Sequence, residues 1–328
     1  MARIKQLNCF DIPKIRKMTE YLGSDDSDRF AKEMQSEAVR VIHKLVPLKY
    51  KFLPESYIYL EKDEILGMIT ILPTMGNPYK INITRLIFQN NLYDVGKQLV
   101  DFVLARYGAK GATSFSVTID ASHEELFDLF LNQCGFRHCS SENLWKIENF
   151  STEGIYPAKF RVCQNSDAKK VSDLYNGELN TLYKPSLIRI KTEFKEPFFE
   201  GITNFYKNRY VLEEPSHHRI IAYMSITTTD NTNFILDLTT NNGYEIPYDE
   251  ILAFAINEIA SKKSYFYTFI KQKKYTKTSE KFEEYLKSKN FHCIQTQNVL
   301  VKDLYRPIRQ KENVLQVFLF GENGIAIN

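Results

Sequence analysis

The segment Ile81–Val103, INITRLIFQNNLYDVGKQLVDFV, decides how the rest of the chain is interpreted. Its first part is an apolar run typical of a buried strand. A polar turn follows, and apolar residues at helical spacing then predict a helix whose first turn contains Gly96. A helix that begins directly after a strand presents several unpaired backbone N–H groups and the positive end of its dipole at one place. Such a place can bind phosphate or pyrophosphate.

The length and composition of the chain favour two soluble globular domains. Its 328 residues exceed what one hydrophobic core commonly supports, and 43% apolar with 25% charged residues is ordinary for such a protein. The 43 basic and 40 acidic residues nearly balance, so neither nucleic acid nor a membrane is an expected partner. No apolar stretch reaches the length of a membrane span. The five cysteines form no CxxC pair, which fits reduced thiols in the cytoplasm and predicts no metal.

The order of the sequence signals repeats once along the chain. Asp11 and Asp167, each of which can begin a helix, are separated by 167 − 11 = 156 residues. Gly67 and Ala222 lie at matching places in two similar strands, 222 − 67 = 155 residues apart. Further pairs near this spacing are Cys134–Phe136 with Lys289–Phe291, Leu144 with Val299, and the strands SFSVTID with YFYTFIK, whose offset is 265 − 114 = 151. We interpret the chain as a duplicated unit.

Each unit shows the order strand, two helices, hairpin strands, strand–turn–helix, strand, helix, strand. We therefore predict an N-terminal domain over residues 1–150, a linker over 151–157 where Ser, Thr, Gly and Pro cluster, and a C-terminal domain over 158–306. The first two helices are expected within residues 12–42. The tail, residues 307–328, contains the apolar run VLQVFLF, which predicts an added strand or a segment packed between the two units.

Both units resemble the GCN5-related N-acetyltransferase (GNAT) superfamily. The residues that carry the resemblance are ILGMITI (65–71), ITRLIF (83–88), NLYDVGKQLVDFV (91–103) and NQCGF (132–136). The resemblance implies an α/β (α+β) fold of two tandem acyl-CoA N-acyltransferase domains, each a mixed, mostly antiparallel sheet flanked by helices. It also implies transfer of an acyl group, such as acetyl, from acetyl-CoA or another acyl-CoA to an amine on a small molecule or a protein.

In this family coenzyme A lies in a V-shaped gap between the strands that correspond to Ile81–Phe88 and Ser114–Asp120, with its pyrophosphate on the following helix. The resemblance thus assigns coenzyme binding to Leu86, Ile87, Phe88, Asn91, Tyr93, Asp94, Val95, Gly96 and Lys97. Asn91 replaces the usual Gln or Arg, and Asp94 replaces the first loop glycine. The Asp94 carboxylate either repels the pyrophosphate or simply caps the helix. The second unit has no recognisable phosphate turn, so we expect a structural role for it.

The tyrosine that often acts as the acid in this family is missing from both units. Leu131 and Leu286 stand at its position, and Tyr285 lies one residue away. The candidate catalytic residues are Asp120, at the end of the strand that borders the gap, with His123 and Glu124 beside it. Strand termination and helix capping are the simpler interpretation of Asp120.

The candidate substrate-binding residues are Asp25, Asp26 and Asp28, in a loop that belongs to the family's acceptor site, and Arg85 in the middle of a strand. Asp237 falls near the position of Arg85 in the second unit, and an internal ion pair is the simpler role for either residue. The basic run KQKKYTKTSEK, residues 271–281, could contact a nucleotide phosphate or an acidic partner, but a solvated loop is the simpler interpretation.

Two alternative functions remain open. One is a non-catalytic module that senses acyl-CoA or binds a protein partner after loss of the acid and of the loop glycine. The other is an aminoacyl-transferase of the Fem type, which also joins two such units and uses aminoacyl-tRNA. Neither a strongly basic surface nor a helical-hairpin arm of alternating charge supports this second alternative.

Overall fold

The computed structural model describes residues 2–11, 13–15, 54–88, 93–196, 206–214, 216–228 and 230–304. The strands of this part are β1 (Arg3–Gln6), β2 (Glu55–Glu61), β3 (Glu64–Thr74), β4 (Asn77–Phe88), β5 (Ser114–Asp120), β6 (Arg137–Ile147), β7 (Arg161–Val162), β8 (Tyr206–Glu214), β9 (Arg219–Thr228), β10 (Asn233–Thr240), β11 (Tyr267–Lys273) and β12 (His292–Asp303). Its α-helices are α1 (Tyr93–Ala109), α2 (Glu124–Asp128), α3 (Ala168–Glu178), α4 (Lys184–Leu187), α5 (Tyr248–Ala260) and α6 (Ser279–Ser288). Most of the two helices predicted within residues 12–42, the residues Asp25, Asp26, Asp28 and Asn91, and the tail 307–328 lie outside the described residues.

These strands form one continuous sheet in the order β1-β2-β3-β4-β5-β12-β6-β11-β10-β9-β8-β7. The order reads the same from either end when each strand is replaced by its counterpart in the other repeat. Only β4–β5 and β10–β11 run parallel within this sheet, and the other neighbouring strands are antiparallel. The prediction of two tandem α/β units with a mixed, mostly antiparallel sheet is therefore confirmed.

The last strand of each repeat lies in the other half of the sheet. β5 pairs with β12 rather than with β6, and β11 pairs with β6 rather than with β12. As a consequence Leu300, from the second repeat, is fully buried in the core around α1, while Trp145, from the first repeat, lies in the core around α5. Each core thus contains a strand from the other repeat. The boundaries at residues 150 and 158 stay a prediction.

The repeat is visible in individual contacts at the start of each unit. Lys5 Nζ donates a 2.7 Å hydrogen bond to Asp11, and Arg161 Nη1 donates one of 2.7 Å to Asp167. Both Asp carboxylates also accept from the backbone N–H three residues earlier, at 3.1 and 2.8 Å. Both pairs are spaced 156 residues apart (161 − 5 and 167 − 11), which is the predicted offset.

The sequence alignment predicted between β5 and its counterpart β11 differs from the structure by two residues. Gly135 and Asn290 both have positive φ angles, 68° and 57°, as their predicted equivalence requires. β11, however, begins at Tyr267, so its offset from β5 is 267 − 114 = 153 residues, not 151. A two-residue shift buries the same faces of a strand, and the apolar pattern therefore cannot distinguish these two registers. With the observed offset of 153 residues, Asp120 in the first unit corresponds to Lys273 in the second (273 − 120 = 153).

The basic run over residues 271–281 is not a solvated loop. Its first three residues complete β11, in which Gln272 is fully buried and the Lys273 side chain is only 4% exposed. Tyr275, just after the strand, is also buried. The prediction was wrong because the partners of these side chains come from strands that are distant in the sequence.

Replacing Asp167 by asparagine is expected to lower stability by about 1 kcal/mol near neutral pH, because Arg161 is partly exposed and water weakens the pair. Hydrogen bonds from Arg161 hold the pKa of Asp167 and of Glu213 below their usual range. Their stabilisation is present above the unfolded pKa, about 4, and is lost as the pH falls through the lower folded pKa. Thermal melts should therefore show the difference between wild type and Asp167→Asn shrinking in acid. Glu280→Gln, an exposed control, should melt like wild type, and a difference independent of pH would contradict this reasoning.

Candidate coenzyme site

The parallel strands β4 and β5 separate part-way along their length. Backbone pairing joins Lys80–Ile83 to Ser114–Val117 and then stops, although both strands continue. Beyond this point Thr84–Phe88 and Thr118–Asp120 face each other, and no ladder joins them in the described structure. Where the ladder between two neighbouring parallel strands has ended, an extended ligand can hydrogen-bond to their backbones as an added strand would.

A β-bulge in β4 accounts for the separation. Thr70 of β3 pairs with Arg85 and Ile71 pairs with Ile83, so Thr84 is an extra residue at the point where the gap begins. Bulges of this kind bend a strand and increase its twist. In the second unit β9 and β10 pair without any irregularity, and the β10–β11 pairing continues one residue further, as far as Asp237. The bulge therefore distinguishes the first gap from its counterpart.

Helix α1 begins just beyond the open end of the gap. The ring of Tyr93 packs edge-on against Phe88, 5.5 Å between centroids, and its hydroxyl donates a hydrogen bond to Glu125 of α2. This bond raises the pKa of Tyr93. Asp94 is exposed in the first turn of the helix. The tyrosine thus ties together the three elements around the helix N-terminus.

Gly96 is required by the packing of α1. A Cβ atom at this position would lie 2.9 Å from Cε1 of Phe88 and 3.2 Å from Cδ2 of Leu129, closer than such atoms normally approach. The counterpart in the second unit, Ile251 (251 − 96 = 155), is a buried side chain. The glycine that marks the phosphate turn in the sequence therefore also permits close helix–strand packing, and its contact with a coenzyme stays a prediction.

The side chains of Leu86, Ile87, Val95 and Lys97, also assigned to coenzyme binding, pack in the protein core or form an ion pair within the protein. Leu86 and Val95 belong to the core around α1, and Ile87 packs on the opposite face of the sheet. Lys97 forms an ion pair with Asp101 one turn further along α1, and this hydrogen bond raises the pKa of Lys97. Coenzyme binding by these residues would therefore rest on their backbone groups, which need no particular side chain.

The Asp120 carboxylate accepts three hydrogen bonds. Oδ1 accepts from the backbone N–H and the hydroxyl of Ser122, at 2.8 and 2.7 Å, and Oδ2 accepts from Nε2 of Gln295 at 2.5 Å. The Ser122 backbone bond first, and then the Gln295 and Ser122 side chains, lower the pKa of Asp120 to about 2. A carboxylate with so low a pKa is a weak base near neutral pH. These contacts are those of a turn-forming residue, and a catalytic role for Asp120 stays a prediction.

His123 and Glu124 lie at the same corner as Asp120, and Arg85 lies on the neighbouring strand β4. Both side chains at the corner are exposed where α2 begins, and the His123 backbone N–H donates to the Asp120 carbonyl at 3.0 Å. Arg85 Nη1 is 3.4 Å from the hydroxyl of Thr70, which places the guanidinium over β3. The structure thus brings together the three catalytic candidates at the end of β5, while the one described substrate candidate lies on the neighbouring strand β4.

Charged side chains cross the corresponding space in the second unit. Lys273, at the end of β11, forms an ion pair with Asp237 on β10 and donates to the Thr239 hydroxyl at 3.2 Å. Burial would raise the pKa of Asp237, but Lys273 and its basic neighbours outweigh burial and hold it below the usual range. Beside this pair, Lys271 forms a 2.9 Å ion pair with Glu142 of β6. An ion pair therefore bridges β10 and β11 in the second unit, at the level where the β4–β5 ladder has ended in the first.

Side chains also occupy the start of α5, the counterpart of α1. Asp249, in the first turn, accepts a 2.8 Å hydrogen bond from the hydroxyl of Tyr285 and a 2.9 Å bond from Lys289. Tyr285, the residue next to the missing acid position, is thus bonded to α5. Leu131, at that position in the first unit, is a half-buried apolar residue of a π-helical turn, Leu129–Gln133.

Two further observations concern ligands and membranes. In the described part of the chain, no group of three or more His, Cys, Asp or Glu side chains is arranged to hold a metal ion. No helix among the described residues is long and apolar enough to span a bilayer.

The mirrored strand order, the parallel pair that opens at a bulge and the helix that follows it define a tandem GNAT fold. A tandem GNAT protein from the clavulanic acid biosynthesis pathway matches 94% of this chain over 100% of its own, with a TM-score of 0.58 and 9% identity. A GCN5-related N-acetyltransferase from Sphaerobacter thermophilus matches 94% of this chain over 97% of its own, with a TM-score of 0.57 and 12% identity. No family model and no curated protein matches the chain. At these identities the likeness establishes the fold.

Proposed function

We propose that this protein is an acyl-CoA-dependent N-acyltransferase whose first unit, residues 1–150, holds the acyl-CoA between β4 and β5. The observation that carries the proposal is the separation of these strands at the Thr84 bulge, within a GNAT fold. In the second unit, residues 158–306, the equivalent space is bridged by Lys273 and Asp237, which supports a structural role there. The free thiols of Cys134, Cys139 and Cys163 support a reducing compartment, the cytoplasm.

The proposed reaction is direct attack of an amine on the thioester carbonyl. A C–N bond forms, the C–S bond breaks, the amine loses a proton and the departing thiolate of coenzyme A gains one. Asp120, His123 and Glu124 stand at the end of β5, beside the gap. Because the pKa of Asp120 is about 2, we assign it the positioning of this corner and leave proton transfer to His123, Glu124 or water.

Replacing Asp94 by glycine is expected to tighten binding of coenzyme A about two- to five-fold, because the carboxylate at the helix N-terminus no longer repels the pyrophosphate. Isothermal titration calorimetry with coenzyme A measures this. Asp249→Gly is the matched control, since Asp249 (249 − 94 = 155) occupies the same position at the start of α5. Unchanged or weaker binding by Asp94→Gly would remove the repulsion argument, and tighter binding by Asp249→Gly would move the coenzyme to the second unit.

A non-catalytic acyl-CoA sensor or interaction module is the second candidate. It is favoured by Leu131 at the acid position and by the low pKa of Asp120. Thermal melts with acetyl-CoA test binding first, since a ligand of the native state raises the melting temperature. Release of the coenzyme thiol in the presence of diamines, polyamines and lysine peptides then separates the two candidates. Thiol release above the hydrolytic background establishes the enzyme, and binding without such release establishes the sensor.

A further inference from the structure

A cavity of about 710 Å³ lies in the second unit beside helix α3. The hairpin turn between β8 and β9, the turn after β10 and the segment after β11 complete its wall. The charged and titratable side chains in its wall are those of Lys170, Asp173, Glu178, His217, Arg219 and Lys277. None of the residues that border the bridged space between β10 and β11 lines this cavity. It is therefore separate from the counterpart of the coenzyme gap.

Glu178 places a buried, incompletely bonded carboxylate in the wall of this cavity. The residue is 4% exposed, and the backbone N–H of Asn242 donates to its carboxylate. Its second oxygen, Oε2, has no hydrogen-bond partner among the residues that the structure describes. Burial raises the pKa of Glu178 above its usual range. A buried acceptor without a donor destabilises the fold, which calls for a specific explanation.

The two carboxylates of this cavity have no acidic counterpart in the sequence of the first unit. By the internal repeat, Glu178 corresponds to Leu22 (178 − 22 = 156), and Asp173 corresponds to Lys17 (173 − 17 = 156). Both carboxylates are thus particular to the second unit, so the repeated fold does not explain the buried acceptor of Glu178.

Basic side chains border the same cavity. Lys170 donates to the His218 carbonyl at 3.1 Å and Lys277 to the Gly177 carbonyl at 2.6 Å, which holds both ammonium groups at the wall. Arg219 is exposed there. These groups suit an anion, but the two carboxylates nearby disfavour a diphosphate such as that of coenzyme A. The wall therefore offers opposite charges to one ligand.

We propose that this cavity binds a small zwitterion, whose ammonium group donates to Glu178 and whose anionic group lies against Arg219 and Lys277. The site gives the second unit a binding role that is independent of acyl transfer in the first. A charge-assisted hydrogen bond to the Glu178 carboxylate replaces the missing donor, and the basic groups recognise the other end of the ligand. A ligand that carries only an ammonium group or only an anionic group would make one of these two sets of contacts and lack the other.

Calorimetry on the full chain with O-phosphoethanolamine, ethanolamine and inorganic phosphate tests the proposal. Phosphoethanolamine is expected to bind, and each half-ligand to bind at least about ten-fold more weakly. Glu178→Gln, which keeps the shape and removes the charge, should weaken phosphoethanolamine about 10- to 100-fold. Arg219→Gln changes only an exposed side chain and should weaken it about ten-fold. Glu284→Gln, exposed on α6, is the control and should bind like wild type.

Four results would overturn the proposal. The first is no heat from phosphoethanolamine at about 10 mM, and the second is equal binding of phosphate alone, which indicates a simple anion site. The third is unchanged affinity in Glu178→Gln; should that variant fail to fold, unchanged affinity in Arg219→Gln decides instead. The fourth is displacement of phosphoethanolamine by coenzyme A, which would show that the cavity is a coenzyme site.

Discussion

Replacing Lys273 by methionine is expected to destabilise the protein by about 3 kcal/mol, because the buried end of the Asp237 carboxylate loses its ion-pair partner. The Lys273 side chain is 4% exposed and that of Asp237 is 25% exposed, so water cannot fully replace the ammonium group. Adding Asp237→Leu should restore most of the loss, since replacing both members of a buried pair by apolar groups is often nearly neutral. Urea denaturation of the single and double variants measures both effects.

The matched control is Lys287→Met, which breaks an exposed ion pair with Glu283 on α6. Such surface pairs contribute at most about 1 kcal/mol. A Lys273→Met protein as stable as wild type would show that the bridge across the second gap is not a stabilising element. The double variant should still bind coenzyme A, because the proposed site lies in the first unit.

Replacing Leu300 by alanine is expected to cost about 3 kcal/mol and to destabilise both halves of the sheet together. Leu300 belongs to the second repeat, yet it is fully buried in the core of the first. Trp145, the only tryptophan, lies on β6 of the first repeat but is buried in the core of the second unit. Its fluorescence therefore reports on that core. Its fluorescence and the far-ultraviolet circular dichroism should therefore shift to the same lower urea midpoint.

Ile294→Ala provides the control for this experiment. Ile294 lies on the same strand as Leu300 but is 51% exposed, so its loss should change stability by less than about 0.5 kcal/mol. A Trp145 transition that stays at the wild-type midpoint in Leu300→Ala, while circular dichroism shifts, would show two units that unfold independently. That result would contradict the strand exchange.

The fold was predictable because its signals are local and occur twice. Apolar periodicity, the glycine of the strand–turn–helix segment and the paired Asp11 and Asp167 each depend on a few neighbouring residues. The exchange of β6 and β12 was not predictable, since the two strands occupy the same place in the repeat and carry similar patterns. Which of them joins β5 is decided by tertiary packing and not by local sequence.

The candidate site was predictable only in part, for the same reason. The strands of the gap, Gly96 and the corner at Asp120 follow from the local pattern. Gln295 reaches Asp120 only because β12 lies beside β5, which no local signal indicates. The sequence does contain a signal for the ion pairs of the second unit. Lys271 and Lys273 lie two residues apart in a strand, so their side chains must lie on the same face of the sheet.

Hydrogen–deuterium exchange of the full chain, with and without coenzyme A, tests whether coenzyme A binds between β4 and β5. Residues 84–88 and 118–120 border the gap beyond the end of the β4–β5 ladder, and residues 93–96 form the first turn of helix α1. On binding, we expect slower exchange in peptides that cover residues 84–96 and 118–120 and no change over residues 238–251. Slower exchange confined to residues 238–251, or no change anywhere at saturating coenzyme A, would contradict the account.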